Sequence, residues 1–290
     1  MTYRRRATAP IAVGIDGSAA CLAATKWAAR EAARADAELV LVHATAFSAA
    51  ELDHHLATRD NSEDVLLAAG DRQLARAVAV ARAVAPEVRV TSELGPGTAA
   101  KLLISRSSDA GMLVVGSHGV NAAVGLLLGS VAAAVAAGAH CPVIVVRDDP
   151  PDAGPIVVGV DVTADNDPAL GFAFAAASRA GAGLIAMNAW YDEAGTPTAM
   201  RLHEVEACVV AWSAKYPDVV VDLRVVKDMA PARALLAQTA GAQLLVVGSR
   251  GRGQLETVIR GSSGASLLYR ASCPVAIVHD RLTPDRSDKR

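Results

Sequence analysis

The chain has 290 residues, a net charge of −2, 52% hydrophobic and 20% charged residues, and only 3% aromatics. That length suits about two domains, and the balance excludes a disordered chain or one drawn by its overall field to nucleic acid or an anionic membrane. No run reaches the eighteen or more uninterrupted apolar residues of a membrane span, the basic start MTYRRRATAPIAVGIDGS lacks the apolar stretch of a secretory signal, and Cys21, Cys141, Cys208 and Cys273 show no metal spacing. A cytoplasmic protein with reduced, buried thiols and a core built from Ala and Val is the expectation.

In chain order, β-branched runs alternate with helical stretches. A strand at 11–15 precedes AACLAATKWAAREAARAD, whose helical spacing follows Ser18 as N-cap. A strand at 38–44, a helix at about 62–84, a strand at 88–93, a helix at 98–109, a strand at 111–116, a helix at 129–139 and a strand at 142–146 complete the first half. Strands apolar on both faces and alternating with helices predict a parallel sheet covered on both sides, an α/β fold. RDDPPDAG (147–154) then reads as a linker, and the pattern restarts.

LVVGSHG (113–119) returns as LVVGSRG (245–251), Gly129-Ser130 as Gly261-Ser262, and HCPVIVV (140–146) as SCPVAIV (272–278), each 132 residues on. IAVGIDGS (11–18) returns as IVVGVDVT (156–163), and ELVLVHA (38–44) as GLIAMNA (183–189), each 145 residues on. A single change of thirteen residues between about 45 and 88 reconciles the two offsets. The chain is therefore read as a tandem repeat, with domains at 8–148 and 153–281 and a polar tail, DRLTPDRSDKR.

Gly116 closes the fourth strand and Ser130 opens the fourth helix. Ligands of open parallel sheets bind beyond the carboxyl ends of the strands, where strand order reverses. A glycine loop running into a helix N-terminus offers amides and a positive dipole end to an anion. Asp16 and Asp161 end the first strand of each copy and can accept hydrogen bonds from a ribose hydroxyl or an adenine amino group. Blander readings stand beside these. The glycines can serve plain turns, Ser130, Ser262, Asp16 and Asp161 can cap helices, and His118 reads as an exposed loop histidine. His43 reads as a satisfied strand-end residue although it lies near where a base would sit. His54-His55 lacks helical metal spacing, and Cys141 and Cys273 read as buried structural thiols.

These residues resemble the universal stress protein family, and the likeness covers both halves. ATP-binding members carry G-x-x-G, nine residues, then G-[ST]; the counterparts are Gly116, Gly119 and Gly129-Ser130, then Gly248, Gly251 and Gly261-Ser262. The resemblance implies, in each domain, a five-stranded parallel sheet of order 3-2-1-4-5 with helices on both faces, a Rossmann-like arrangement similar to the adenine nucleotide alpha hydrolases. It implies ATP, with or without Mg2+, held in the first copy by Gly14, Asp16, Gly116, Ser117, His118, Gly119, Val120, Gly129, Ser130 and Val131. In the second copy the implied set is Gly159, Asp161, Gly248, Ser249, Arg250, Gly251, Arg252, Gly253, Gly261, Ser262 and Ser263. It also implies dimer-like pairing through the fifth strands, here of the two domains within one chain; a homodimer and a regulatory partner of unknown identity are further expectations.

The copies differ. The first loop has His118 where the second has Arg250, and no Arg at 120 or 128; the second adds Arg252 and Arg260 but lacks the Gly-Ser that follows Asp16. Both are expected to bind nucleotide, with unequal affinity. No G-x-x-x-x-G-K-[ST], no G-x-G-x-x-G after either first strand, no G-x-S-x-G and no histidine shared between copies supplies catalytic machinery. The expectation is a nucleotide-dependent regulatory protein of the stress response, not an efficient enzyme. A slow ATPase or phosphotransferase and a nucleotide-free scaffold are the alternatives. The extra residues near 48–64 carry no assigned chemistry.

Overall fold

A computed structural model of the chain describes residues 9–45, 61–119, 128–149, 151–162, 167–190, 197–228, 230–249 and 265–279. The two halves form separate compact units that divide at residues 150–151, except that His140–Pro142 group with the second. The first holds β1 (Ile11–Gly14), α1 (Ala19–Ala35), β2 (Leu39–Ala44), α2 (Asn61–Val84), β3 (Val90–Gly95), α3 (Ala99–Arg106), β4 (Met112–Gly116), α4 (Ser130–Gly138) and β5 (Val143–Val146). The second holds β6 (Ile156–Gly159), α5 (Asp167–Ala180), β7 (Leu184–Trp190), α6 (Thr198–Lys215), β8 (Val221–Lys227), α7 (Pro231–Ala237), β9 (Leu244–Gly248), α8 (Ala265–Arg270) and β10 (Val275–Val278).

Strands pair in parallel within each half, in the order β3-β2-β1-β4-β5 and β8-β7-β6-β9-β10. Right-handed crossovers running from β1 toward β3 place α1 and α2 on one face, and those running back toward β5 place α3 and α4 on the other. The helices do pack in those pairs. The order reverses between β1 and β4, so their carboxyl ends flank a crevice.

The core of the first unit is small and β-branched. Leu113, Val114, Val143 and Ile144 are fully buried in the sheet, and α1 turns Ala20, Ala24, Ala28 and Ala32 inward at helical spacing. Such short side chains let helix and sheet approach closely. A Cβ on Gly116 would stand 2.8 Å from the carbonyl carbon of Ala20 and 2.9 Å from the Cys21 nitrogen, contacts that backbone cannot relieve. The second unit has a larger filling in Phe174, Trp212 and Tyr216, whose rings stack with centroids 6.0–6.4 Å apart.

Two expectations need correction. The third strand begins at Val90 rather than 88 and continues to Gly95, because Ser92, Glu93, Leu94 and Gly95 keep their pairing with β2 despite their mixed polarity. The repeat arithmetic is also different. Leu39 pairs with Val90, and its counterpart Leu184, 145 residues on, pairs with Val221, only 131 residues beyond Val90. Met112 and Leu244, which pair with Ile11 and Ile156, are again 132 apart. The change of thirteen is thus fourteen extra residues between β2 and β3 of the first copy, with one restored between β8 and β9 of the second.

Candidate functional site

The first wall of the crevice grows from the end of β1. Asp16 Oδ1 accepts the Ser18 amide at 2.9 Å, and Ser18 Oγ accepts the Cys21 amide at 3.1 Å. Ser18 is therefore the N-cap of α1, as its sequence position predicts, and Asp16 braces the turn before it rather than capping the helix. Gly17 makes the bend possible with φ +83, a left-handed value. The second copy has Val162 there, and among the described residues Asp36 is the one non-glycine with positive φ, so Val162 does not repeat this turn.

The second wall follows β4. The Ser117 amide donates to Val146 O at 2.7 Å, a tie repeated by Ser249 and Val278 O at 2.7 Å in the second copy. Ser117 is buried and its Oγ lies 2.8 Å from His118 Nδ1, so the serine positions the imidazole and does not itself line the cleft. Ser18 Oγ reaches the His118 carbonyl at 3.4 Å. His118 is half-buried and lines the cleft, which corrects the exposed-loop reading. A Cβ on Gly119 would stand 2.8 Å from Asp16 Oδ2, so the Asp16 carboxylate packs against the glycine loop.

The Gly129 amide donates to Ser117 O at 2.7 Å and closes the neck of the loop. Gly129 is the N-cap of α4 without a side-chain cap, and Ser130 is the first helical residue, not a cap. The amides of Gly129 and Ser117 are therefore committed to main chain. Those of Ser130, Val131 and Ala132 lie in a first turn, where a helix offers no internal acceptor. Gly116, Gly119 and Gly129 all lack left-handed φ. The first two serve by leaving room.

These walls enclose a cavity of about 480 Å³. Ile15 just past β1, Val42 and Ala44 of β2, which pairs with β1 on the side away from β4, and Ala99, Leu102 and Leu103 of α3 line it. Asp16, His118, Gly119, Gly129, Ser130 and Val131 supply its polar wall, with Gly14, Cys21, Val115 and Gly116 between. Burial pushes the Cys21 thiol up, and main-chain hydrogen bonding at Asp16 works against that rise. Cys21 and the apolar β2 and α3 residues were missed in the sequence. Val42 and Ala44 sit at the carboxyl end of a strand beside the switch point, which is the signal that marks them.

His43 is structural. Its Nδ1 lies 2.7 Å from Ile15 O, and a Cβ on Gly70 would press its ring at 2.9 Å. Its counterpart Asn188 donates to Val160 O at 2.7 Å, making the same tie with different chemistry. In the second copy, Gly159 ends β6, Gly248 ends the adjacent β9, and Asp161 and Ser249 follow them at the same sheet edge. Burial first, then the charges of Glu204 and Asp161, push the Cys208 thiol up, so Asp161 lies within electrostatic reach of α6. Val120, Arg250, Gly251, Arg252, Gly253, Gly261, Ser262 and Ser263 lie outside the described residues, as do His54 and His55. Among the described residues no group of three His, Cys, Asp or Glu could hold a metal ion, and no helix is long and apolar enough to cross a membrane.

A duplicated 3-2-1-4-5 sheet with a glycine neck at its switch point defines a class of α/β protein. The Universal stress protein family model matches residues 8–147 and 153–279, and the chain belongs to that family. Universal stress protein Rv2623 of Mycobacterium tuberculosis (strain H37Rv) is 34% identical over 301 residues, covering 94% of this chain and 97% of that one. Universal stress protein Rv2005c of the same strain is 34% identical over 287 residues, covering 92% and 96%. A universal stress protein from Archaeoglobus fulgidus shares the fold, with a TM-score of 0.72 at 19% identity over 94% of this chain and 99% of that one.

Proposed function

We propose that the chain binds an adenine nucleotide, ATP carried with or without Mg2+, and answers it by a change of conformation or partner rather than by efficient turnover. The observation that carries this reading is the first cleft. Its volume of about 480 Å³ lies in the range of small-molecule pockets, and it joins an apolar slot to a glycine neck and an open helix turn. Ile15, Val42, Ala44 and Leu102 suit a purine ring. Asp16 suits a sugar hydroxyl or an exocyclic amine, and the Ser130 hydroxyl with the amides of Ser130 and Val131 suits phosphate oxygens. A nucleotide would bring its own phosphoryl chemistry. The residues lining the cleft bind and orient it, and a homodimer or other regulatory partner would receive the signal.

Nucleotide released by heat from the purified full chain, identified by mass spectrometry, tests this reading together with calorimetry of ATP binding. An adenine nucleotide in the supernatant and saturable heat are expected; neither appearing would leave a nucleotide-free scaffold. One observation favours a second reading, slow phosphoryl transfer: the Asp16 carboxylate lies against Gly119, near where phosphates would pass. That reading requires ATP turnover well above background that Asp16→Asn abolishes.

A further inference from the structure

The phosphate wall of the first cleft is poor in positive charge. Among the described residues lining the cavity there is no Lys or Arg, and the titratable side chains are Asp16, Cys21 and His118. The segment between Gly119 and Gly129 reads VNAAVGLLL and adds no charge. A polyphosphate entering here meets main-chain dipoles, a carboxylate and one imidazole. Imidazole is the side chain that ordinarily changes charge between pH 5 and 8. The His118 ring is held by Ser117 Oγ at Nδ1, 2.8 Å away, which leaves Nε2 as the ring nitrogen for a ligand.

We propose that His118 makes polyphosphate binding in the first cleft depend on pH. The proposal rests on the nucleotide reading above and adds its regulation. Protonated, His118 supplies the cation that Arg250 carries at the matching position of the second copy; neutral, it leaves only hydrogen bonds. Among the described residues lining the cavity, the other titratable groups are Asp16 from the turn before α1 and Cys21 from α1, and the lining residues of α3 and of the first turn of α4 bear no charge; outside the lining, Arg147 follows Val146, whose carbonyl holds the Ser117 amide, at the end of β5. Incoming phosphates favour the imidazolium, so protonation and ligand binding assist each other.

The test is calorimetry of ATP and adenosine on the full chain and on His118→Gln and His118→Arg, at pH 5.5 and 8.0. Phosphates titrate in the same range, so the reading is the difference between wild type and His118→Gln. The second copy has no histidine at this position, and its contribution cancels in that difference. One added charge-assisted hydrogen bond is worth about tenfold in affinity. ATP is expected to tighten about tenfold more in wild type than in His118→Gln on going to pH 5.5, while adenosine behaves alike in both, and His118→Arg keeps the tight affinity at pH 8.0. In NMR, the imidazole resonance lost in either variant should shift its titration midpoint upward when ATP is added. Equal pH dependence in wild type and His118→Gln, or a midpoint unmoved by ATP, would overturn the proposal while leaving the nucleotide site intact. Binding of neither ATP nor adenosine would remove the nucleotide reading itself, and this inference with it.

Discussion

Gly116 and Gly119 stand three residues apart in one motif, yet they make room for different things. Gly116 admits the backbone of α1, whereas Gly119 admits the Asp16 carboxylate. Gly116→Ala should therefore destabilise the fold by about 1–3 kcal/mol, the usual cost of overpacking against atoms that cannot retreat, as seen in a denaturant melt. Gly119→Ala displaces a side chain that can turn away, so its effect should fall on affinity: ATP binding weakened about tenfold or more with stability nearly unchanged. Equal effects of the two substitutions on stability would refute this division. The motif spacing was legible in the sequence. The reason for Gly116 was not, because its Cβ clash arises from a tertiary approach between α1 and β4. His43 was legible as a satisfied strand-end residue, and its tie to Ile15 is matched by that of Asn188 to Val160.

At the scale of elements, the copies preserve contacts while exchanging the chemistry that makes them. The third strand is tied to the following helix by Glu93 with Arg106 in the first copy and by Arg224 with Gln238 in the second. The strand boundaries followed from hydrophobic runs except at β3, where mixed polarity hid pairing that only the partner strand reveals. The fifth strands begin behind a Cys-Pro pair in both copies, and burial pushes the thiols of Cys141 and Cys273 from 9.0 up to about 12. The sign follows directly. An unfolded thiol ionises near 9 while the folded one stays protonated, so stability is intact below pH 9 and falls as pH rises toward 12. At pH 10.5 the loss should be about 1–2 kcal/mol per thiol. Denaturant midpoints at pH 8.0 and 10.5 check this: Cys141→Ala should lose less stability over that interval than wild type, and an identical loss would contradict the assignment.

For the whole molecule, duplication was readable from constant offsets, but its insertion arithmetic was not. Fourteen residues gained between β2 and β3 of the first copy, less one gained between β8 and β9 of the second, leave the thirteen that sequence comparison detects, and only strand register separates them. The same duplication has let the two sites diverge in charge and in the turn after the first strand, Gly17 against Val162. The proposed function stands or falls with the first cleft as a nucleotide seat. The direct measurement is a crystal structure of the full chain grown with millimolar ATP. It should show the purine between Val42 and Leu102, phosphate oxygens on the amides of Ser130 and Val131, and His118 Nε2 within hydrogen-bond distance of one of them. A cleft left empty at that concentration, or a nucleotide bound elsewhere in the first unit, would contradict the account.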